Sequence, residues 1–151
     1  MSSKAGMASM VRPEPEARLK IAYEKYVCEV AAMTDAINLA DKLALLDGPF
    51  QPGIVGFLND YKLAVVKVQG EFVWHKHDDT DDFFLVLSGR LTIQLRDRDV
   101  ELSEGELFVV PRGVEHCPRA DDEAHVLLIE PMGTPNTGDA GGELTAREER
   151  I

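Results

Sequence analysis

The residue types with the most chemical potential gather in one stretch. Of the chain's four histidines, two alternate in Trp74-His75-Lys76-His77. On an extended strand, residues two apart project from the same face, so both imidazoles aim at one point. Asp82 follows the acidic turn Asp78-Asp79-Thr80-Asp81 and heads an apolar run, so antiparallel pairing returns it to the histidines. Much later, His116 ends a Pro111-Arg112-Gly113-Val114-Glu115 turn and can complete the set. Three imidazoles and a carboxylate suit one divalent ion of borderline character: Zn, Fe, Mn, Co or Ni. Four protein ligands on a six-coordinate ion leave two positions for water, dioxygen or a substrate oxygen. His125 begins an apolar run with no ligand pattern around it and reads as structural.

Those side chains need a scaffold of strands. From 34 to 131 the apolar runs are short, and Gly, Pro or Asp punctuates them. Tyr61–Val68, Glu71–His77, Phe83–Leu87, Leu91–Leu95, Val100–Leu102, Leu107–Val110 and His125–Glu130 read as strands. Ser88-Gly89-Arg90 and Asp97-Arg98 read as turns between neighbours. Many short strands with turn signals predict an all-β sandwich or barrel. The region 1–33 differs: Leu19, Ala22, Tyr26, Val27, Val30 and Met33 recur at three- and four-residue steps, the spacing of an amphipathic helix. It reads either as such a helix, over Glu16–Met33, or as a loosely ordered extension. The tail 132–151 is rich in Gly, Pro and Asn and reads as irregular.

Composition bounds the partners. At 151 residues with 44% apolar content, the chain is long enough for one domain with a real core. Sixteen basic against 27 acidic residues give a net charge of −11, a field that repels phosphate backbones and anionic lipid. No nucleic-acid or membrane partner is expected, and the expected partner is a small molecule. Met1–Val11 lacks the apolar stretch of a secretory signal, so a cytoplasmic protein is expected. Cys28 and Cys117 match neither a CxxC motif nor a disulfide framework and read as reduced and incidental. A lone barrel has unpaired strand edges, which favours a homodimer.

Two segments resemble the signatures of the cupin superfamily. In the first, His75-x-His77 is followed by four residues, Asp82, six residues and Gly89. In the second, Gly105 is followed by five residues, Pro111, one residue, Gly113, two residues and His116. Gly70 lies one residue closer to His75 than the pattern asks, Asp82 replaces the usual glutamate, and Ala120 replaces a non-ligating asparagine. Asp81 is the alternative carboxylate, though the spacing to Gly89 favours Asp82. The resemblance implies a jelly-roll β-barrel with an ion in its mouth, held by His75, His77, Asp82 and His116. In character the chain resembles the small single-domain cupins described as similar to mannose-6-phosphate isomerase, a kinship of fold only. The leading expectation is a metal-dependent isomerase, lyase or dioxygenase acting on a small polar, oxygen-rich metabolite. The alternative is a non-catalytic binding or sensing module. A polar lumen with a titratable group near the ion would favour the enzyme, and an apolar or plugged mouth the binder. Lys67, Gln94 and Glu130 are polar residues on apolar strands whose facing the sequence leaves open, so no catalytic residue is named beyond the ligands.

Overall fold

The computed structural model describes residues 35–151 and Lys20. The chain divides into two units, Met1–Asp35 and Ala36–Ile151. The expected helix over Glu16–Met33 and Cys28 lie outside the described residues.

In the second unit, a short helix α1 (Leu39–Leu43) precedes seven strands: β1 (Gly53–Leu58), β2 (Tyr61–Glu71), β3 (Asp82–Ser88), β4 (Arg90–Leu95), β5 (Asp99–Ser103), β6 (Leu107–Val110) and β7 (His116–Pro131). Asn38 caps α1, its side-chain oxygen accepting from the Ala40 and Asp41 amides at 2.9 and 3.2 Å. Leu43 then packs with Leu46, Val55 and Val65 on one side of the sheet.

The strand order β1-β2-β7-β3-β6 forms one layer, and β4 joins β5 to β7 in the other. Every pairing between named strands is antiparallel. Strand β7 organises both layers. One edge pairs with β2 along its length. The other edge pairs first with β4, over His116–Arg119, and then with β3, over His125–Ile129. Between these stretches the register shifts, with Ala120 opposite Gly70 but Ala124 opposite Val68, so residues 121–123 bulge outward and are exposed. The β3–β4 turn tucks in here. Gly89 has φ +82°, and a Cβ on it would sit 2.9 Å from the Glu123 carbonyl oxygen, so the turn requires glycine. This all-β, antiparallel arrangement is a jelly-roll fold.

Alternation places the core. On β3, Asp82, Phe84 and Val86 are buried, while Phe83 and Leu85 are less so. Leu91, Ile93 and Leu95 of β4 face the same interior, as do Val126 and Leu128 of β7 and Ala64, Val66 and Val68 of β2. Polar residues continue these inward rows at one end: Asp82 on β3, Glu130 on β7 and Lys62 on β2.

Two strand expectations need correction. Glu71–His77 is not a strand beyond Glu71: the Phe72 amide donates to the Pro118 carbonyl, and His75 makes one isolated bridge, with His116. The strand expected at His125–Glu130 starts much earlier: His116 opens β7, which runs through Cys117 to Ala120 despite the missing donor of Pro118. Asp121-Asp122-Glu123 is the exposed bulge within that strand. The turns at Ser88-Gly89-Arg90 and Asp97-Arg98 lie between strands as expected.

Candidate metal centre

Backbone pairing aligns the first two imidazoles. His75 and His116 exchange both amide hydrogen bonds, at 3.0 and 2.9 Å. Side chains of such a pair share a face, and the two rings lie with centroids 4.3 Å apart. Alternation from His75 puts His77 on that face, with its ring 5.1 Å from His75. The Gly113 amide donates to the His77 carbonyl at 2.7 Å, so the Pro-x-Gly turn fixes the His77 backbone. Asp82 enters from the head of β3. One ligand atom from each of His75, His77, Asp82 and His116 lies within 4.8 Å of all the others.

All four residues are buried, at 3, 6, 4 and 1% exposure respectively. Asp81, the alternative carboxylate, is exposed and accepts the Arg112 amide at 2.9 Å instead. His125 is partly exposed and pairs with Glu123 at 2.8 Å, away from the cluster.

Tautomers follow from the partners. The Nδ1 of His75 faces the Val73 carbonyl at 2.9 Å, and the Nδ1 of His116 faces the Val114 carbonyl at 3.0 Å. Carbonyls only accept, so both Nδ1 atoms carry hydrogen and each neutral ring turns a lone pair at Nε2 toward the cluster. His116 Nε2 lies 3.0 Å from Asp82 Oδ2, where a lone pair and a carboxylate would repel unless a cation or a second proton stood between them. His77 Nε2 is 3.4 Å from the same oxygen without hydrogen-bond geometry, and both it and Asp82 Oδ1 lack a hydrogen-bond partner. Buried polar atoms are rarely left so. A divalent cation would satisfy all of them at once, so the donor set fits a metal site.

The ionisation states of His75 and Asp82 suit ligation, whereas His77 favours its protonated form, whose proton an ion would displace. Burial, with the His116 charge beside it, pushes the His75 pKa down to about 4, which keeps it neutral and available as a ligand. Burial opposes ionisation of Asp82, but His116 and His77 outweigh it and hold the carboxyl below its usual value. Burial likewise opposes charge on His77, but Asp82 prevails and raises its pKa.

A cavity of about 40 Å³ adjoins the cluster, with His75, Asp82 and Glu130 on its wall. The remaining wall is mainly apolar and includes Phe50, Phe72, Phe84, Val126 and Leu128. The lumen is therefore mixed: apolar sides with one carboxylate that belongs to no ligand. Lys67 turns away to the Leu46 carbonyl at 2.9 Å, and Gln94 reaches Glu71 at 3.1 Å. Only the phase of Val126, Leu128 and Glu130 along the last strand carried a signal for the inward carboxylate.

A family model described as the cupin domain matches residues 62–130. A cupin-2 domain containing protein from Shewanella frigidimarina, of known crystal structure, is 46% identical, with a TM-score of 0.63, 64% of this chain covered and 94% of that one. This chain belongs to the cupin superfamily. Among curated relatives, the uncharacterized protein YdbB of Bacillus subtilis is 33% identical over 74 residues, 48% of this chain and 66% of that protein. A 3-hydroxyanthranilate 3,4-dioxygenase of Brucella anthropi is 33% identical over 72 residues, 42% of this chain. This cupin spans just under two thirds of the first and 40% of the second. No helix among the described residues is long and apolar enough to cross a membrane.

Proposed function

We propose that this cupin binds one divalent metal ion through His75, His77, Asp82 and His116 and uses it to act on a small, oxygen-bearing molecule. The observation that carries this reading is the convergence of four buried ligand atoms within 4.8 Å, two of them without hydrogen-bond partners. An ion there would supply Lewis acidity toward a substrate oxygen, and iron would add reactions with dioxygen. The chain's own residues would fix the ligand tautomers through Val73 and Val114 and exclude water through the phenylalanine-lined wall. Of isomerase, lyase and dioxygenase, the similarity to a 3-hydroxyanthranilate dioxygenase supports the dioxygenase class. A small-molecule binder without catalysis is the second reading, supported by the mainly apolar cavity.

The barrel, residues 34–131, is taken as the functional domain between the 1–33 extension and the 132–151 tail. A cytoplasmic homodimer is the proposed form, supported by β6, an edge strand that exposes Leu107 and Val109. Light scattering that finds only monomer would remove the dimer.

Metal analysis of protein purified without chelator or His tag should find about one ion per chain, lost in the double variant His75→Ala, His77→Ala. Stoichiometric metal persisting in that variant would overturn the assignment. Oxygen uptake by iron-loaded protein with 3-hydroxyanthranilate tests the dioxygenase class, and no uptake with a panel of such aromatics would favour the other classes.

A further inference from the structure

Three charged side chains form one buried row beside the metal centre. Lys62 on β2 pairs with Glu130 on β7, and the pairing of Phe83 with Ile129 sets Asp82 of β3 opposite Glu130. Residues opposite one another on antiparallel strands share a face, so all three point into the barrel. Lys62 Nζ lies 3.3 Å from Glu130 Oε2, and the two residues are 5 and 4% exposed. Lys62 has further partners: it donates to the Thr134 carbonyl at 2.6 Å and pairs with Glu148. Glu148 already neutralises Lys62, so the fold does not require Glu130 as its counter-charge. A second buried carboxylate beside Asp82 is costly to keep. Glu130 nevertheless lines the cavity together with His75 and Asp82, among phenylalanine and aliphatic side chains.

We propose that Glu130 is a ligand-recognition residue: its carboxylate accepts a hydrogen bond from an O–H or N–H group of a bound molecule. The apolar body of that molecule lies against the apolar wall at the cavity, and one of its oxygens meets the ion. This rests on the metal reading above and adds to it a substrate class, small molecules with an apolar body and a hydrogen-bond donor apart from the metal-bound oxygen. Lys62 orients the carboxylate and ties it to the tail through Thr134 and Glu148.

The test uses cobalt-loaded full-length protein and three phenols. Phenol carries one hydroxyl, whereas resorcinol and hydroquinone carry a second that cannot chelate the same ion. Calorimetric titration should show at least one dihydric phenol binding more tightly than phenol. That advantage should fall about tenfold in Glu130→Gln, the size of a charge-assisted hydrogen bond, while phenol binds both proteins equally. If Gln at this position does not fold, Glu130→Asp withdraws the carboxylate by one methylene and should also reduce the advantage. The proposal is overturned if neither dihydric phenol outbinds phenol, or if the advantage survives in both variants. Cobalt uptake is read separately from its visible bands. Failure of uptake by the unmodified protein overturns the metal reading, and the phenol comparison is then read on metal-free protein with the same two outcomes.

Discussion

Replacing Gly138 with alanine would put a methyl carbon 2.2 Å from the Lys76 carbonyl oxygen and 3.0 Å from His75 Cδ2. The neighbour at 2.2 Å is backbone and cannot step aside, so the tail must lift. Lifting breaks two hydrogen bonds that hold the tail to the His75–His77 segment: the Asp139 amide to the Lys76 carbonyl at 3.1 Å, and the Lys76 amide to Asp139 Oδ1 at 2.9 Å. At about 1 kcal/mol each, these contribute roughly 2 kcal/mol. The positive φ of +51° adds a separate cost of about 1 kcal/mol for any residue with a Cβ. Gly141 isolates that backbone part, because its φ is +60° and nothing lies within 4 Å of its added Cβ. Gly138→Ala should therefore lose about 3 kcal/mol and Gly141→Ala about 1 kcal/mol. The difference corresponds to a Tm gap on the order of 8 °C. Thermal unfolding by circular dichroism in chelator measures it, and limited proteolysis should cut the tail of the first variant faster. Equal Tm losses in the two variants would refute the claim that the tail is packed against His75 and Lys76.

Other outcomes follow from the same geometry. Ile93 is fully buried between the layers, so Ile93→Ala should cost about 2–5 kcal/mol in chemical denaturation. Cys117 is buried and its thiol is pushed up to about 11 by burial, so a thiol reagent should modify it only at the rate of unfolding, and fast native labelling would contradict the burial. Burial, together with the Asp82 charge, pushes Glu130 up to about 7. A folded pKa raised above the unfolded value of 4.5 means stability present below pH 4.5 and lost by about pH 7, on the order of 3 kcal/mol in metal-free protein. Glu130→Gln should flatten that pH dependence, and an unchanged slope in this variant would rule out Glu130 as its source.

The candidate metal centre was legible because His75-x-His77, Asp82 and His116 sit at spacings that strand geometry and two motifs both read. The strands around Phe84, Ile93 and Val109 were legible from alternation. Other parts depend on partners that no local pattern reveals. Gly53–Leu58 runs Gly-Ile-Val-Gly-Phe-Leu with its first four residues all buried, so no period of two marks it as a strand. The His75 region looked like a strand because His-x-His alternates, yet its backbone hydrogen bonds scatter to His116, Pro118, the Pro-x-Gly turn and Asp139 of the tail. Pro118 masked the first half of β7. The inward facing of Lys62 and Glu130 needed the register of three strands together. The tail carries every composition mark of an irregular segment. It is nevertheless fixed by single contacts, such as the Ile54–Arg150 bridge and the Asn136 side chain bonding Leu144 and Ala146.

Strand β7 imposes a rule on how this molecule can change. Laid straight, its 16 residues would span about 50 Å, yet His116 near one end and Glu130 near the other both approach Asp82. The strand curls around the barrel, and the bulge at 121–123 is where it turns. From His116 to Glu130 the even-numbered residues face inward on both sides of that bulge. An inserted or deleted single residue there would reverse the parity of one half against the other. His116 would keep its ring in the barrel while Glu130 swung to the outer surface, dividing the site without altering any residue in it. Length changes at this exposed, acidic corner are therefore tolerable only in pairs. A stretch that looks free to vary is, in this barrel, a counter that keeps two distant side chains in phase.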